Sequence, residues 1–290
     1  QRIALLLEKK VTGTAPAASQ LAHHYKRGLD RDRAIDFFLV AAREAAGKQQ
    51  LLEATQMLGE GAELLEASTR KDRPALLVAF YDLMATASVA THPPSCVKAT
   101  GRLLEIWKDI NPDEVIAQVA AKKRRLERTP AFLRRFVEEK PGPPKPFDPA
   151  TRDPVMIFER LQQVSGQRAM ALAVLGEAEG ALAAADALLK RAPPGSPHVA
   201  VASVPRLLAL VHMGRTRELR ATAETATAIF EGAGERLPPP LRIFWFLSLY
   251  MRSFGEALAG TTAWEMPSHK ALALAERFGL PQEKGFAQLP

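Results

Sequence analysis

Two groups of side chains carry enough charge or lone-pair chemistry to build a site. The first is His23-His24 with Lys26 and Arg27, preceded one turn earlier by Ser19 and Gln20. Adjacent imidazoles on a helix point about 100° apart, which keeps the pair from sharing a metal ion. Ser19, Gln20, His23, Lys26 and Arg27 fall together on the outward side of such a helix. That strip is either a solvated face or a binding surface for an acidic or C-terminal peptide segment. The second group is Lys122, Lys123, Arg124, Arg125, Arg128, Arg134 and Arg135, with Glu127 the one acid between Ala120 and Phe136. Phe132 and Phe136 are four apart and share a face within it. Three readings stay open: a solvated charged face, a contact with an acidic domain of the same protein, or a polyanion site for nucleic acid or membrane.

Nothing else converges on a reactive centre. Cys96 has no basic neighbour nearer than Lys98 and no His/Asn set, so it lacks what makes a thiol nucleophilic. Gly59-Glu60-Gly61 and Gly232-Ala233-Gly234 lack the third glycine and the preceding strand of a dinucleotide loop. Asp30, Asp32 and Asp36 lack the glycine and closing glutamate of a calcium loop and suit helix capping. The phosphate-loop, zinc-protease, paired-cysteine and nucleophile-elbow motifs are absent. The expectation is therefore a chain without catalysis, cofactor or metal.

The elements that must position these residues read as helices throughout. The chain has 290 residues, 47% of them apolar and 24% charged, and a formal net charge of +7, most of which sits in the 122–135 stretch. Ala and Leu dominate while Val and Ile are scarce, which favours helix over sheet. A single cysteine excludes a disulfide framework, and no apolar run reaches the roughly 18 residues of a membrane span, so a cytoplasmic protein is expected. The chain opens at Gln1, not Met, which suggests a piece of a longer protein.

Proline and glycine cut the pattern into helices over 1–10, 17–27, 31–46, 50–67, 75–90, 95–110, 112–126 and 130–139. After the segment PGPPKPFDPATRDP, with six prolines between Pro141 and Pro154, helices resume over 155–164, 167–191, 198–213, 215–232, 240–259 and 268–278. The expected organisation is residues 1–12 as the end of a preceding domain or a cap, 13–140 as an N-terminal block, 141–154 as a stiff connector, and 155–290 as a C-terminal block. The connector reads equally well as a surface strap on one continuous array. Pro239 to Tyr250 is the most apolar segment; its rings cover most of a helix circumference, either as a buried helix or as an exposed aromatic patch that would promote dimerisation.

Helices of this length joined by short turns suggest stacked hairpins. In a frame starting at Ala15, Leu21, Ala22 and Tyr25 take the packing positions of a first helix, and Ala34, Phe38 and Ala41 those of a second. Leu207, Leu210, Ala223 and Ala226 repeat the layout around Gly214, with Leu219 where a small residue is expected. These residues resemble the tetratricopeptide unit, which implies an all-α, right-handed solenoid of antiparallel hairpins with Ser19, Gln20, His23, Lys26 and Arg27 in its concave groove. The run LAHHYKRGLDRDRAIDFFLVAAREAAGKQQLLEATQMLGEGAELLE, Leu21 to Glu66, further resembles the helical region after the ATPase module of bacterial signal-transduction ATPases with numerous domains, including maltose-activator-type and kinase- or cyclase-fused regulators. Gln1 to Glu8 is similar to the helix that closes the part before it. The resemblance implies a non-catalytic sensor and protein-interaction platform that relays binding to an attached ATPase, kinase or cyclase domain. The alternative is a helical scaffold holding nucleic acid through residues 122–135.

Overall fold

A computed structural model describes residues 15–111, 114–118, 121, 147–191, 197–234, 237 and 241–279. Among them the regular structure is helical, without a strand. Two compact units divide the chain, Gln1–Val164 and Ser165–Pro290. The first holds α1 (Ala15–Arg27), α2 (Arg31–Gly47), α3 (Leu51–Glu66), α4 (Arg73–Ser88) and α5 (Pro93–Ile106). The division falls inside α6 (Pro154–Val174). The second unit continues with α7 (Ala178–Arg191), α8 (Pro197–His212), α9 (Thr216–Ala233), α10 (Arg242–Leu258) and α11 (Glu265–Phe278). Within each unit helices pack in chain order: α1 on α2, α2 on α3, α3 on α4, α4 on α5, and again from α7 to α11.

One turn chemistry makes five of the reversals. The amide of Asp30 donates to Tyr25 O at 3.1 Å, Gln50 to Ala45 O at 2.9 Å and Glu177 to Leu172 O at 2.9 Å. Arg215 donates to Leu210 O at 3.0 Å and Thr261 to Glu256 O at 3.2 Å. Each bond spans five residues and closes the helix end around one residue in the left-handed region, the geometry of a Schellman cap. Glycine occupies that position in the second unit, at Gly176, Gly214 and Gly260; the first unit uses Leu29 and Gln49, both at φ 63°. A non-glycine residue there costs roughly 1–2 kcal/mol. Asp30 then caps α2, its carboxylate accepting from the Arg33 amide at 3.3 Å, and Pro74 starts α4 in the first turn, where its missing donor is harmless.

The six residues of the first hairpin frame are all buried: Leu21, Ala22, Tyr25, Ala34, Phe38 and Ala41. So are Leu207, Leu210, Ala223 and Ala226, together with Leu219. Phe246 and Leu249 anchor α10, and Phe244, Trp245, Leu247 and Tyr250 are half-buried around them, in clusters with α9 and α11. The apolar circumference of α10 therefore serves packing on both sides. Most helix boundaries shift by up to four residues from the sequence expectation, and one break is displaced outright. The break expected at 165–166 is not made; α6 runs through Gly166 and ends at Val174, and the chain turns at Gly176 instead. Gly166 keeps helical geometry and faces Leu188 of α7 at Cβ-contact distance, 3.7 Å, whereas Gly176 adopts φ 78°, which L-residues avoid. The helices expected over 1–10 and 130–139 lie outside the described residues, as does most of that over 112–126, of which residues 114–118 and 121 are helical.

The tightest approach is at Gly61. A Cβ there would lie 2.8 Å from Phe80 Cζ and 3.0 Å from Phe38 Cβ, so α2, α3 and α4 close on one another only where α3 has no side chain. Gly59, two residues earlier, faces open space. The two glycines should therefore respond with opposite sign in urea unfolding. Gly61→Ala is expected to destabilise by about 1–3 kcal/mol through overpacking. Gly59→Ala is expected to stabilise by roughly 0.5–1 kcal/mol through helix propensity. Equal effects from the two would contradict this packing.

Candidate functional site

The strip on α1 meets a carboxylate of the next-but-one helix. Lys26 Nζ donates to Glu60 Oε2 of α3 at 2.7 Å, and His23 Nδ1 lies 3.8 Å from the same oxygen. The His23 ring is edge-on to Phe38 with centroids 5.3 Å apart, and Lys26 Nζ lies 5.9 Å from that ring's centroid. Lys26 is thus drawn onto Glu60, which offsets one of the positive charges that an acidic ligand would need. Arg27 is exposed. Ser19 and Gln20 stand apart from this cluster, at the rim of a depression of about 360 Å³ floored by Ala41, Ala45 and Met57. Lys122, Lys123, Arg124, Arg125, Arg128, Arg134 and Arg135 lie outside the described residues.

The Lys26–Glu60 contact is one of a series with nearly constant separation. Arg70 pairs with Asp36, 34 residues away, at 2.8 Å and with Asp72 at 2.8 Å. Arg102 binds Glu66, 36 residues away, at 2.8 Å, and Arg220 binds Glu256, also 36 away, at 2.8 Å. In unit 1 these bonds join α1 to α3, α2 to the turn between α3 and α4, and α3 to α5; in unit 2 the bond joins α9 to α10. The acidic cluster is absorbed in the same way: Asp30 caps α2, Asp36 holds Arg70, and Asp32 accepts from Ser68 Oγ at 3.4 Å.

The most polar knot joins three helices. Tyr81 of α4, itself buried, donates to Glu66 Oε1 at 2.6 Å, while Arg102 of α5 donates from Nε at 3.1 Å. The Tyr81 hydroxyl and, beside it, Arg102 hold the Glu66 carboxyl below its ordinary range against the opposing effect of burial. Burial and the Glu66 charge push the Tyr81 phenol up to about 12. At Glu256 burial works to raise the carboxyl, and the Thr261 hydroxyl and Arg220 outweigh it, so the net direction is down. These groups bridge helix pairs: Glu66 joins α3 to α4 and α5, and Glu256 joins α10 to α9.

Among the described residues no three His, Cys, Asp or Glu side chains come together as a metal site. Cys96 is buried in α5, and Gly59-Glu60-Gly61 is part of α3, not a loop. No helix of the described residues is long and apolar enough to cross a membrane. Sequence reasoning missed Glu60, Glu66 and the α2 and α3 contribution to the depression. Opposite charges 34 and 36 residues apart were the available signal.

Compared with known proteins, the chain matches no family model and no curated protein. A solved structure, BtubC (BKLC) from P. vanneervenii, is similar with a TM-score of 0.50 over 97% of this chain and 91% of that one, at 14% identity. At that identity the likeness concerns the all-helical fold alone.

The lowered carboxyls fix the direction of the acid response. Native Glu66 and Glu256 hold protons less tightly than the unfolded chain does, so acidification favours the unfolded chain. Their contribution is complete above the ordinary carboxylate range and is lost as pH falls through the lowered native values. Glu66→Gln should therefore be less stable than the parent near pH 7, with the gap in urea midpoint shrinking toward pH 3. A gap that stays constant or widens on acidification would contradict the assignment.

Proposed function

We propose that the chain is a non-catalytic helical-repeat module, a right-handed solenoid of antiparallel hairpins in two blocks that binds a protein partner on its concave face. The observation that carries this reading is the periodic stitching of helix to helix: one Schellman turn used five times, and ion pairs that recur 34 or 36 residues apart. In a repeat array each unit touches its neighbours, which leaves a continuous inner surface for recognition. The resemblance of Leu21 to Glu66 to the helical region of signal-transduction ATPases supports placing the module in a bacterial cytoplasmic regulator. There, partner binding would shift the array against an attached ATPase, kinase or cyclase domain.

A polyanion scaffold differs from this in its salt response. Binding through Lys122 to Arg135 would neutralise several phosphates and fall steeply with salt, with a log–log slope of about −0.9 per phosphate. The test titrates the purified chain with a labelled 20-base-pair DNA duplex at 50 and 200 mM salt, beside selection of a phage-displayed random peptide library. The expected result is peptide binders whose affinity changes little with salt, and no duplex binding stronger than the roughly 10⁻⁴–10⁻⁶ M of non-specific association. Tight, salt-steep duplex binding that is lost in Lys122→Glu/Lys123→Glu/Arg124→Glu/Arg125→Glu would overturn the reading, as would failure to select any peptide.

A further inference from the structure

The start of α5 depends on an imidazole. A helix leaves its first amides without partners inside the helix. In α5 two of those positions are Pro93 and Pro94, which carry no N–H. The His92 amide donates to Ser88 O of α4 at 2.9 Å and the Cys96 amide to His92 O at 3.3 Å, so the Ser95 amide is the donor left for a cap. It meets His92 O at 3.0 Å and His92 Nδ1 at 3.3 Å, and Ser95 Oγ lies 2.8 Å from the same nitrogen.

Nδ1 accepts from the Ser95 amide only in the neutral ring, protonated at Nε2. A second proton turns both ring nitrogens into donors. The Ser95 amide then faces an N–H, and a positive charge sits at the positive end of the α5 dipole. Both effects oppose the closed turn. Carboxylates cap α2 at Asp30 and α6 at Asp153, and a carboxylate remains an acceptor at neutral pH. Imidazole is the side chain whose charge changes there.

The surroundings leave the ring to respond on its own. Along the chain the nearest charged residues are Asp82 of α4, which Arg160 of α6 holds, and Lys98 of α5. Across the turn, Thr91 shares a depression with Glu53 of α3. Among the described residues none of these three pairs with His92, which is exposed. Cys96, in the first turn of α5, is fully buried and is the one cysteine of the chain, so its thiol reports opening of that turn.

We propose that His92 makes the first turn of α5 a pH-responsive latch: the neutral imidazole closes it, and a proton on the ring releases it and uncovers Cys96. Because closure takes the neutral ring, the latch is shut on the alkaline side of neutrality and loosens as pH falls. The device is independent of the interaction reading above.

The test labels Cys96 of the full chain with a dithiodipyridine reagent, each rate being divided by that of the urea-unfolded chain at the same pH. The ratio should rise about fivefold from about pH 8 to about pH 5, the effect of losing one N-cap. The Glu66 carboxyl, held below its ordinary range, leaves this window clear. His92→Asn, whose carboxamide caps without titrating, should keep the ratio level, and His92→Ala should show the raised ratio throughout. Glu53→Gln should leave the parent's response in place. The Ser95 amide resonance serves where labelling is too slow: its shift should follow the same curve in the parent and stay fixed in His92→Asn. A level ratio and fixed shift in the parent overturn the proposal. So does a response that persists in His92→Asn or disappears in Glu53→Gln.

Discussion

The closure of α2, α3 and α4 over Gly61 is the constraint from which the first unit is built. Phe38 and Phe80 are both fully buried, and the Phe80 ring and the Phe38 Cβ meet α3 where it has no side chain. Bringing three backbones this close fixes the rotation and height of α3. That placement in turn sets its polar residues: Glu60 faces Lys26 and His23 of α1, and Glu66 at the other end receives Tyr81 and Arg102. The apolar contact thus determines which charges meet, and the ion pairs, mostly solvent-exposed, add little energy of their own beyond specifying register.

How much of this was legible in the sequence depends on the range of the interaction. Helix type and most boundaries follow from local signals, as at Asp30 before α2 and Pro74 within the first turn of α4. The buried set of the first hairpin is likewise readable, because Leu21, Ala22, Tyr25, Ala34, Phe38 and Ala41 sit at spacings that only helix packing explains. The boundary at Gly166 was misjudged because glycine inside a helix and glycine ending one look alike in sequence; the packing against Leu188 decides between them. Leu29 and Gln49 give no turn signal at all, since their left-handed geometry is imposed by the hairpins on either side.

The surface was less legible than the core for a physical reason. Lys26 stands as a free cation in sequence, yet Glu60, 34 residues away, pairs with it and lies 3.8 Å from His23. A helix face shows its own charges but not those of the helix that will lie beside it. The depression beside Ser19 is composed of residues from three helices, among them Gln20, Ala45 and Met57, none distinctive alone. They come together only through the packing of the helices that carry them.

The central claim is that unit 1 is held most firmly where α2, α3 and α4 close over Gly61, and less firmly at the helices farther from it. Native-state hydrogen exchange on the full chain across sub-denaturing urea tests it most directly, because opening energies are read helix by helix. The account predicts that amides of α3 and α4, locked around Gly61, open at the highest free energy, while α1, held chiefly by α2 and the Glu60 contacts, opens at a lower one. Exchange of α1, α3 and α4 along a single common isotherm from zero denaturant upward would contradict it.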